Sequence, residues 1–175
     1  MRKVNKYTII IISICLFIVM PLFLGTPKQR AAKREFSNKF EAYNAIKESL
    51  INELQKSNSQ RMILYPDGVI TYHVTDIYSD IQSFMMEDEE LLNNLNLLNE
   101  VTGTSFDRCM IFNFNGHIIV DFVYDWERAY GNTYNICYSE NLEALELHAS
   151  EGMHLATSYT LKKLKNNWYY FVYNH

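Results

Sequence analysis

The sequence is poor in the residues that interrupt regular structure. Its 175 residues include only three prolines and six glycines, which excludes a low-complexity linker protein. There are three cysteines, which cannot all pair with one another, and Cys15 lies inside an apolar N-terminal run. Aromatic and other apolar residues are abundant, with thirteen tyrosines, ten phenylalanines and a hydrophobic fraction of 48%. Because β-strands favour aromatic residues, the composition indicates a β-rich domain, with room left for a terminal appendage.

The sequence also lacks the motifs that mark common catalytic sites. It has no H-E-x-x-H, no G-x-S-x-G, no glycine-rich phosphate loop and no cysteine–histidine nucleophile signature. The five histidines show no metal-ligand spacing. Asp121 and Asp125 on one strand would lie roughly 13 Å apart, too far for a glycosidase pair. We therefore expect no enzyme, no metal site and no cofactor.

Basic residues are scarce in the C-terminal two thirds of the chain. Residues 61–175 hold six Lys and Arg against sixteen Asp and Glu, a net charge of −10, whereas residues 26–60 carry +3. A domain this acidic repels nucleic-acid phosphates and attracts basic partners. We expect no nucleic-acid binding and a partner with a basic surface. The alternative is that the negative charge only keeps the protein soluble.

The longest apolar run lies near the N-terminus. Residues 7–25 are 19 residues without a formal charge, preceded by three basic residues. At about 1.5 Å per residue, this run spans a hydrocarbon core of roughly 30 Å. A cleaved signal peptide is the main alternative, but Phe23 occupies the −3 position for cleavage after Gly25. The sequence thus predicts a signal anchor over 1–25 in the cell membrane, crossing once, with residues 26–175 as an extracellular domain.

Helical patterns follow the anchor. Apolar residues recur at steps of three and four from Phe36 to Leu54, which predicts a juxtamembrane amphipathic helix within residues 26–58. Residues 77–85 and 91–101 predict two more helices, with a break at the acidic run 87–90. The segment 141–148 is compatible with a short helix or an irregular crossing.

The remaining segments have the pattern of β-strands. They are a hairpin over 61–74, a longer hairpin over 106–126, a strand over 132–138, and a last hairpin formed by 153–165 and 168–173. Sequential strands usually pair with each other. The predicted fold class is therefore α+β, with one curved antiparallel sheet and helices packed on a single face, preceded by a transmembrane helix.

The hairpin around Asn115 and Gly116 is the centre of the predicted domain. A two-residue turn there pairs Phe114 with His117 and continues the register back to Arg108 opposite Val123. Because side chains alternate along strands, the hairpin has two faces. The first face is apolar and belongs to the core. The second face mixes aromatic and charged groups: Arg108, Met110, Phe112, Phe114, His117, Ile119, Asp121, Val123 and Asp125.

This second face needs either a partner or a further layer of protein. If a partner covers it, the residues that bind are Arg108, Phe112, Phe114, His117, Asp121 and Asp125. Arg108 lies diagonal to Asp121, and a cross-strand ion pair explains both charges simply. The alternative is a second core layer under the juxtamembrane helix. Cys109 and Cys137 should lie about 9–10 Å apart on either side of one strand, so we expect free thiols rather than a disulfide.

A family resemblance covers most of residues 60–175. It rests on three blocks of sequence, together with the N-terminal anchor and the small tyrosine-rich domain. They are FDRCMIFNFNGHIIVDFVYD, YNICYS and NNWYYFVY. In this layout the chain resembles the TipC family of membrane-anchored immunity proteins from Gram-positive bacteria. The resemblance implies that it binds and neutralises a type VII-secreted LXG toxin, which attacks cell-wall precursor outside the membrane. The alternative is an extracytoplasmic sensory or scaffold module that binds an envelope component or a partner membrane protein.

Overall fold

The structure is a computed structural model that describes residues 27–57, 59–73, 81–99, 105–125, 134–151 and 158–174. These residues form four helices, α1 (Pro27–Asn38), α2 (Phe40–Ser57), α3 (Glu89–Asn99) and α4 (Leu142–Glu151). They also form eight strands, β1 (Arg61–Leu64), β2 (Val69–His73), β3 (Ile81–Met85), β4 (Ser105–Phe114), β5 (His117–Asp125), β6 (Tyr134–Ser139), β7 (Ser158–Lys165) and β8 (Trp168–Asn174). All strands belong to one antiparallel sheet in the order β3-β2-β1-β4-β5-β6-β8-β7. The predicted α+β class with one antiparallel sheet is confirmed.

The predicted anchor over residues 1–25 lies outside the described residues. Among the helices that the structure does describe, none combines the length and the apolar character needed to cross a membrane. The amphipathic helix predicted within residues 26–58 is present as two helices, α1 and α2, which meet at Lys39. Its apolar stripe is buried as predicted, with Phe36, Tyr43 and Leu50 at most 1% exposed.

The main core lies between the first face of the sheet and the helices α1, α2 and α3. Phe122 from β5 is fully buried, and its ring centroid lies 5.0 Å from that of Tyr43 and 5.9 Å from that of Trp168. The hydroxyl groups of Tyr43 and Tyr124 are hydrogen-bonded to each other inside this core. Each tyrosine therefore buries its ring without leaving its hydroxyl unpaired.

The central hairpin has the predicted turn and register. Asn115 and Gly116 both adopt positive φ, 51° and 84°, which a two-residue turn of this kind requires. Phe114 lies opposite His117, and the pairing continues to Arg108 opposite Val123. Beyond that point the register shifts by a bulge at Asp107. The bulge changes the alternation of β4, so that Phe106 turns into the main core.

The predicted helix over 77–85 is wrong for residues 81–85, which form β3; residues 77–80 lie outside the described residues. β3 pairs antiparallel with β2, and the Phe84 ring stacks on Tyr72 with centroids 4.9 Å apart. Five residues are too few for periodicity to separate helix from strand, and the cross-strand pairing decides. The predicted break at the acidic run is confirmed, because Asp88 Oδ1 accepts hydrogen bonds from the backbone N–H groups of Glu90 and Leu91 and caps α3.

The prediction that all helices lie on one face is also wrong. The ambiguous segment 141–148 is part of α4, which packs on the second face of the sheet. Leu145 and Ala149 are each 1% exposed there and join a second, smaller core that includes Ile119 and Phe171. Apolar side chains from β5 and β8 make this part of the second face too hydrophobic to remain in water, and α4 covers it.

Candidate binding cleft

A cleft of about 300 Å³ opens on the second face of the sheet, beside α4. β1 pairs with β4 so that Arg61 lies opposite Phe112, and α4 contributes His148 from the side. Three elements that are distant in the sequence therefore meet at one place. The cleft is lined by Gln60, Arg61, Met110, Phe112, Asn113, Phe114 and His148.

Two of the six predicted partner-binding residues, Phe112 and Phe114, form the aromatic wall of this cleft. They are two residues apart on β4 and therefore project from the same face. Both are half-buried. The His148 ring packs against them, with centroid distances of 4.6 Å to Phe112 and 5.7 Å to Phe114. These contacts hold the wall in place before any partner arrives.

Arg61 is the charged group of the cleft. Its Nη2 donates a hydrogen bond to the Sδ of Met110 at 3.3 Å, and a thioether is a weak acceptor. Its Nε is buried and has no hydrogen-bond partner within the described chain. No ion pair of the described residues includes Arg61. Within the described residues, the guanidinium thus has one weak acceptor and no carboxylate partner.

His148 adds a neutral polar group next to that cation. Burial lowers the pKa of His148 below its ordinary value, and the positive charge of Arg61 lowers the pKa further. The imidazole is therefore uncharged at neutral pH, so that one ring nitrogen donates a hydrogen bond and the other accepts one. The cleft carries a single positive charge between aromatic side chains.

The expectation that Asp121 faces a partner is wrong. Asp121 is only 2% exposed, because α4 and the side chains of neighbouring strands turn this part of the second face into a core. The Nδ2 of Asn135 donates to Asp121 Oδ2 at 2.8 Å, and the thiol of Cys137 donates to Oδ1 at 3.2 Å. Desolvation raises the pKa of Asp121 to about 6, although both hydrogen bonds and the charge of Arg108 act to lower it.

The other three predicted residues do not line the cleft. Arg108 is half-exposed, and its Nε forms an ion pair with Asp107 Oδ2 at 2.9 Å. The predicted ion pair between Arg108 and Asp121 does not form in this part of the structure. His117 is exposed at the hairpin tip, where its Nε2 is hydrogen-bonded to the side-chain amide of Asn141 at 3.0 Å. The side chain of Asp125 lies outside the described residues.

Cys109 and Cys137 are both free and buried, as expected. Cys109 lies opposite Phe122 in the main core, whereas Cys137 lies opposite Asp121 on the second face. Side chains on opposite faces of a sheet cannot form a disulfide without movement of the backbone. Burial raises the pKa of both thiols, and the charge of Asp121 raises each pKa further.

We expect both thiols to be unreactive in the folded protein. Labelling of Cys109 and Cys137 by iodoacetamide should be at least about 100-fold slower in buffer than in 6 M urea, because a buried neutral thiol reacts only after the structure opens. Peptide mass spectrometry measures the two sites separately. A Cys109–Cys137 disulfide in the purified protein, or rapid labelling of either site, would contradict this assignment.

Comparison with known proteins does not extend these observations. A scan against protein-family models, a search of curated proteins and a search of solved structures each found no match. Across the described residues, no three His, Cys, Asp or Glu side chains converge on a point where a metal ion could bind. The structural feature that bears on function is therefore the cleft between β1, β4 and α4.

Proposed function

We propose that this protein is a membrane-anchored immunity protein that binds and neutralises a secreted LXG-type toxin outside the cytoplasm. The structural observation that supports the proposal is the cleft, in which Phe112 and Phe114 line a concave site on the sheet. The class of toxin follows from the resemblance of the sequence to the TipC family. Aromatic side chains in such sites are common anchors of protein–protein interfaces. An inhibitor of this kind needs a recognition surface and an anchor, and it needs no catalytic group.

The surface beside the cleft supports binding of a protein. The outward side of α4 exposes two large apolar side chains, Leu142 and Leu147, which are 43% and 45% exposed. The same side carries the exposed carboxylates Glu143 and Glu146. Apolar residues within a charged surface are typical of an interaction site, and the carboxylates would accelerate encounter with a basic toxin.

Co-expression tests the proposal directly. A host that exports a candidate LXG toxin, ideally one encoded next to this gene, should survive when it produces the full chain. A chain without residues 2–25 should lose protection, because the domain would no longer be held where the toxin acts. Toxicity that persists in the presence of the full-length, membrane-localised protein would argue against the immunity function for that toxin.

Phe114 is expected to be an anchor of the toxin interface. Its replacement by alanine should weaken toxin binding by at least about tenfold, since truncation of a central aromatic anchor commonly costs more than 1 kcal/mol. Phe84→Ala is the matched control, because Phe84 is 40% exposed but lies on the edge strand β3 and on the other face. Biolayer interferometry with purified toxin measures both variants. Equal affinities of Phe114→Ala and the unmodified protein would remove the cleft from the interface.

A sensory or scaffold module is the second candidate function. The cleft volume of about 300 Å³ is large enough for a small envelope molecule, which favours this second function. The two candidates differ in the co-expression experiment, since a sensory module gives no protection against an exported toxin.

A further inference from the structure

The geometry points to a carboxylate-binding site in the cleft, with Arg61 as the cation that holds the carboxylate and Phe112 and Phe114 as the wall that holds the group attached to it. The ligand class is a monocarboxylate on an aromatic or apolar body. Two sources share this chemistry, an acidic side chain or C-terminus of the partner protein and a free aromatic acid. The inference rests on the proposed function only where the toxin is taken as the source of the carboxylate.

The first argument is that Arg61 is an unpaired cation in a partly desolvated place. A guanidinium has five N–H donors, and among the described residues the hydrogen bond of the Arg61 side chain goes to a thioether sulfur. Removing a charge from water without an anion or good acceptors costs free energy. The fold places carboxylates beside other cations, such as Glu48 at 2.6 Å from Lys47 and Asp107 at 2.9 Å from Arg108. Within the described chain, no carboxylate is placed beside Arg61.

The second argument is the match between the cleft and a carboxylate. A guanidinium presents its donors in a planar fork that fits the two oxygens of one carboxylate. Gln60 and Asn113 line the same cleft and supply side-chain amides. The backbone N–H of Asn113 on β4 donates a hydrogen bond to the carbonyl oxygen of Gln60, just before β1, at 3.1 Å. This hydrogen bond fixes the backbone of Gln60 and Asn113 next to the cleft.

The third argument concerns the charge and the body of the ligand. Because the lowered pKa of His148 leaves its ring neutral, the cleft offers one positive charge and suits one negative charge. The rings of Phe112 and Phe114, packed against His148, form an aromatic side, which an aromatic group can contact by stacking or edge-to-face packing. A carboxylate on an aromatic body satisfies both halves of the cleft.

The test uses N-acetylphenylalanine as the probe and N-acetylphenylalaninamide, which has the same shape without the charge, as its control. Binding to the full-length protein in mild detergent is measured by isothermal titration calorimetry. We expect the acid to bind at least about tenfold more tightly than the amide, the effect of one charge-assisted pair worth about 1.4 kcal/mol. Equal binding of the two compounds, or no binding of the acid, would overturn the inference.

Variants connect the preference to Arg61. Arg61→Gln should bind acid and amide alike, and Arg61→Lys, which keeps the charge without the fork, should retain only part of the preference. Arg34→Gln is the matched control, since Arg34 is an exposed arginine on α1. Unchanged preference in a folded Arg61→Gln protein would overturn the inference. If Arg61→Gln does not fold, the comparison of Arg61→Lys with Arg34→Gln decides.

The same variants separate the two sources and keep this inference distinct from the proposed function. If Arg61→Gln loses both the acid and the toxin, the toxin supplies the carboxylate. If it loses the acid but binds the toxin normally, the site is confirmed and its ligand is a free acid. A protein that binds the acid but gives no protection against the toxin keeps the carboxylate site and loses the immunity function.

Discussion

Replacing Phe122 with alanine is expected to lower the free energy of unfolding by about 3–5 kcal/mol. Phe122 is fully buried on the central strand β5, among aromatic rings from α2, β4 and β8. Its ring contacts Tyr43 at 5.0 Å, Trp168 at 5.9 Å and Phe106 at 6.3 Å, measured between centroids. Because these partners are held by separate elements, they cannot all move to fill the cavity that the truncation leaves.

Urea unfolding of the full-length protein in mild detergent, followed by tryptophan fluorescence, measures this effect. Phe84→Ala is the matched control, since Phe84 is 40% exposed on β3 and packs mainly on the Tyr72 ring. It should cost about 1 kcal/mol or less, the contribution of one exposed aromatic pair. If the two variants lost the same stability, Phe122 would not occupy the centre of the core.

The buried carboxyl of Asp121 is expected to make stability fall as the pH rises. Burial raises the pKa of Asp121 from 3.8 to about 6 in the folded protein. Between those two values the folded state therefore binds more protons than the unfolded state, and the free energy of unfolding decreases with increasing pH. The stability that protonated Asp121 contributes below pH 3.8 is fully lost above its folded pKa. A difference of about two pKa units corresponds to about 3 kcal/mol.

Asp121→Asn isolates this contribution, because asparagine keeps the shape of the side chain and cannot ionise. The stability of Asp121→Asn relative to the unmodified protein should increase by about 2.5 kcal/mol between pH 4 and pH 7.5, because the unfolded carboxyl is already partly ionised at pH 4. Glu146→Gln, which removes an exposed carboxyl from α4, is the matched control. Urea unfolding at several pH values provides the data. A constant difference across the range would show that Asp121 is not desolvated.

The net negative charge of the domain does not identify the residues that contact a partner, as Asp121 and Arg61 show. Asp121 belongs to the net charge of −10, but it is buried and hydrogen-bonded to Asn135 and Cys137. It therefore takes no direct part in binding. Arg61, one of six basic residues in 61–175, lies in the cleft. In the proposed complex, the exposed acids attract a basic partner from a distance, and Arg61 provides the local contact with a carboxylate.

Local signals in the sequence were sufficient for the parts of the fold that depend on near neighbours. Asn115 and Gly116 determine the central hairpin because a two-residue turn fixes the pairing of both strands. The stripe from Phe36 to Leu54 determines the docking face of α1 and α2 because helical periodicity repeats over many residues. Ile81–Met85 and Leu142–Glu151 were not determined in this way, since their patterns are short and their structure depends on pairing and burial.

The sequence alone determined the two faces of the hairpin and therefore placed Phe112 and Phe114 together. Only the tertiary structure decided what lies above the second face, because alternation along a strand carries no information about the next layer. α4 completes a second core on this face, Asp121 is buried, and the cleft stays open beside α4. Arg61 and His148 were missed as site residues because pairing of β1 with β4 and packing of α4 bring them to Phe112 from distant positions. Such contacts follow from the packing of the whole chain, which no local pattern specifies.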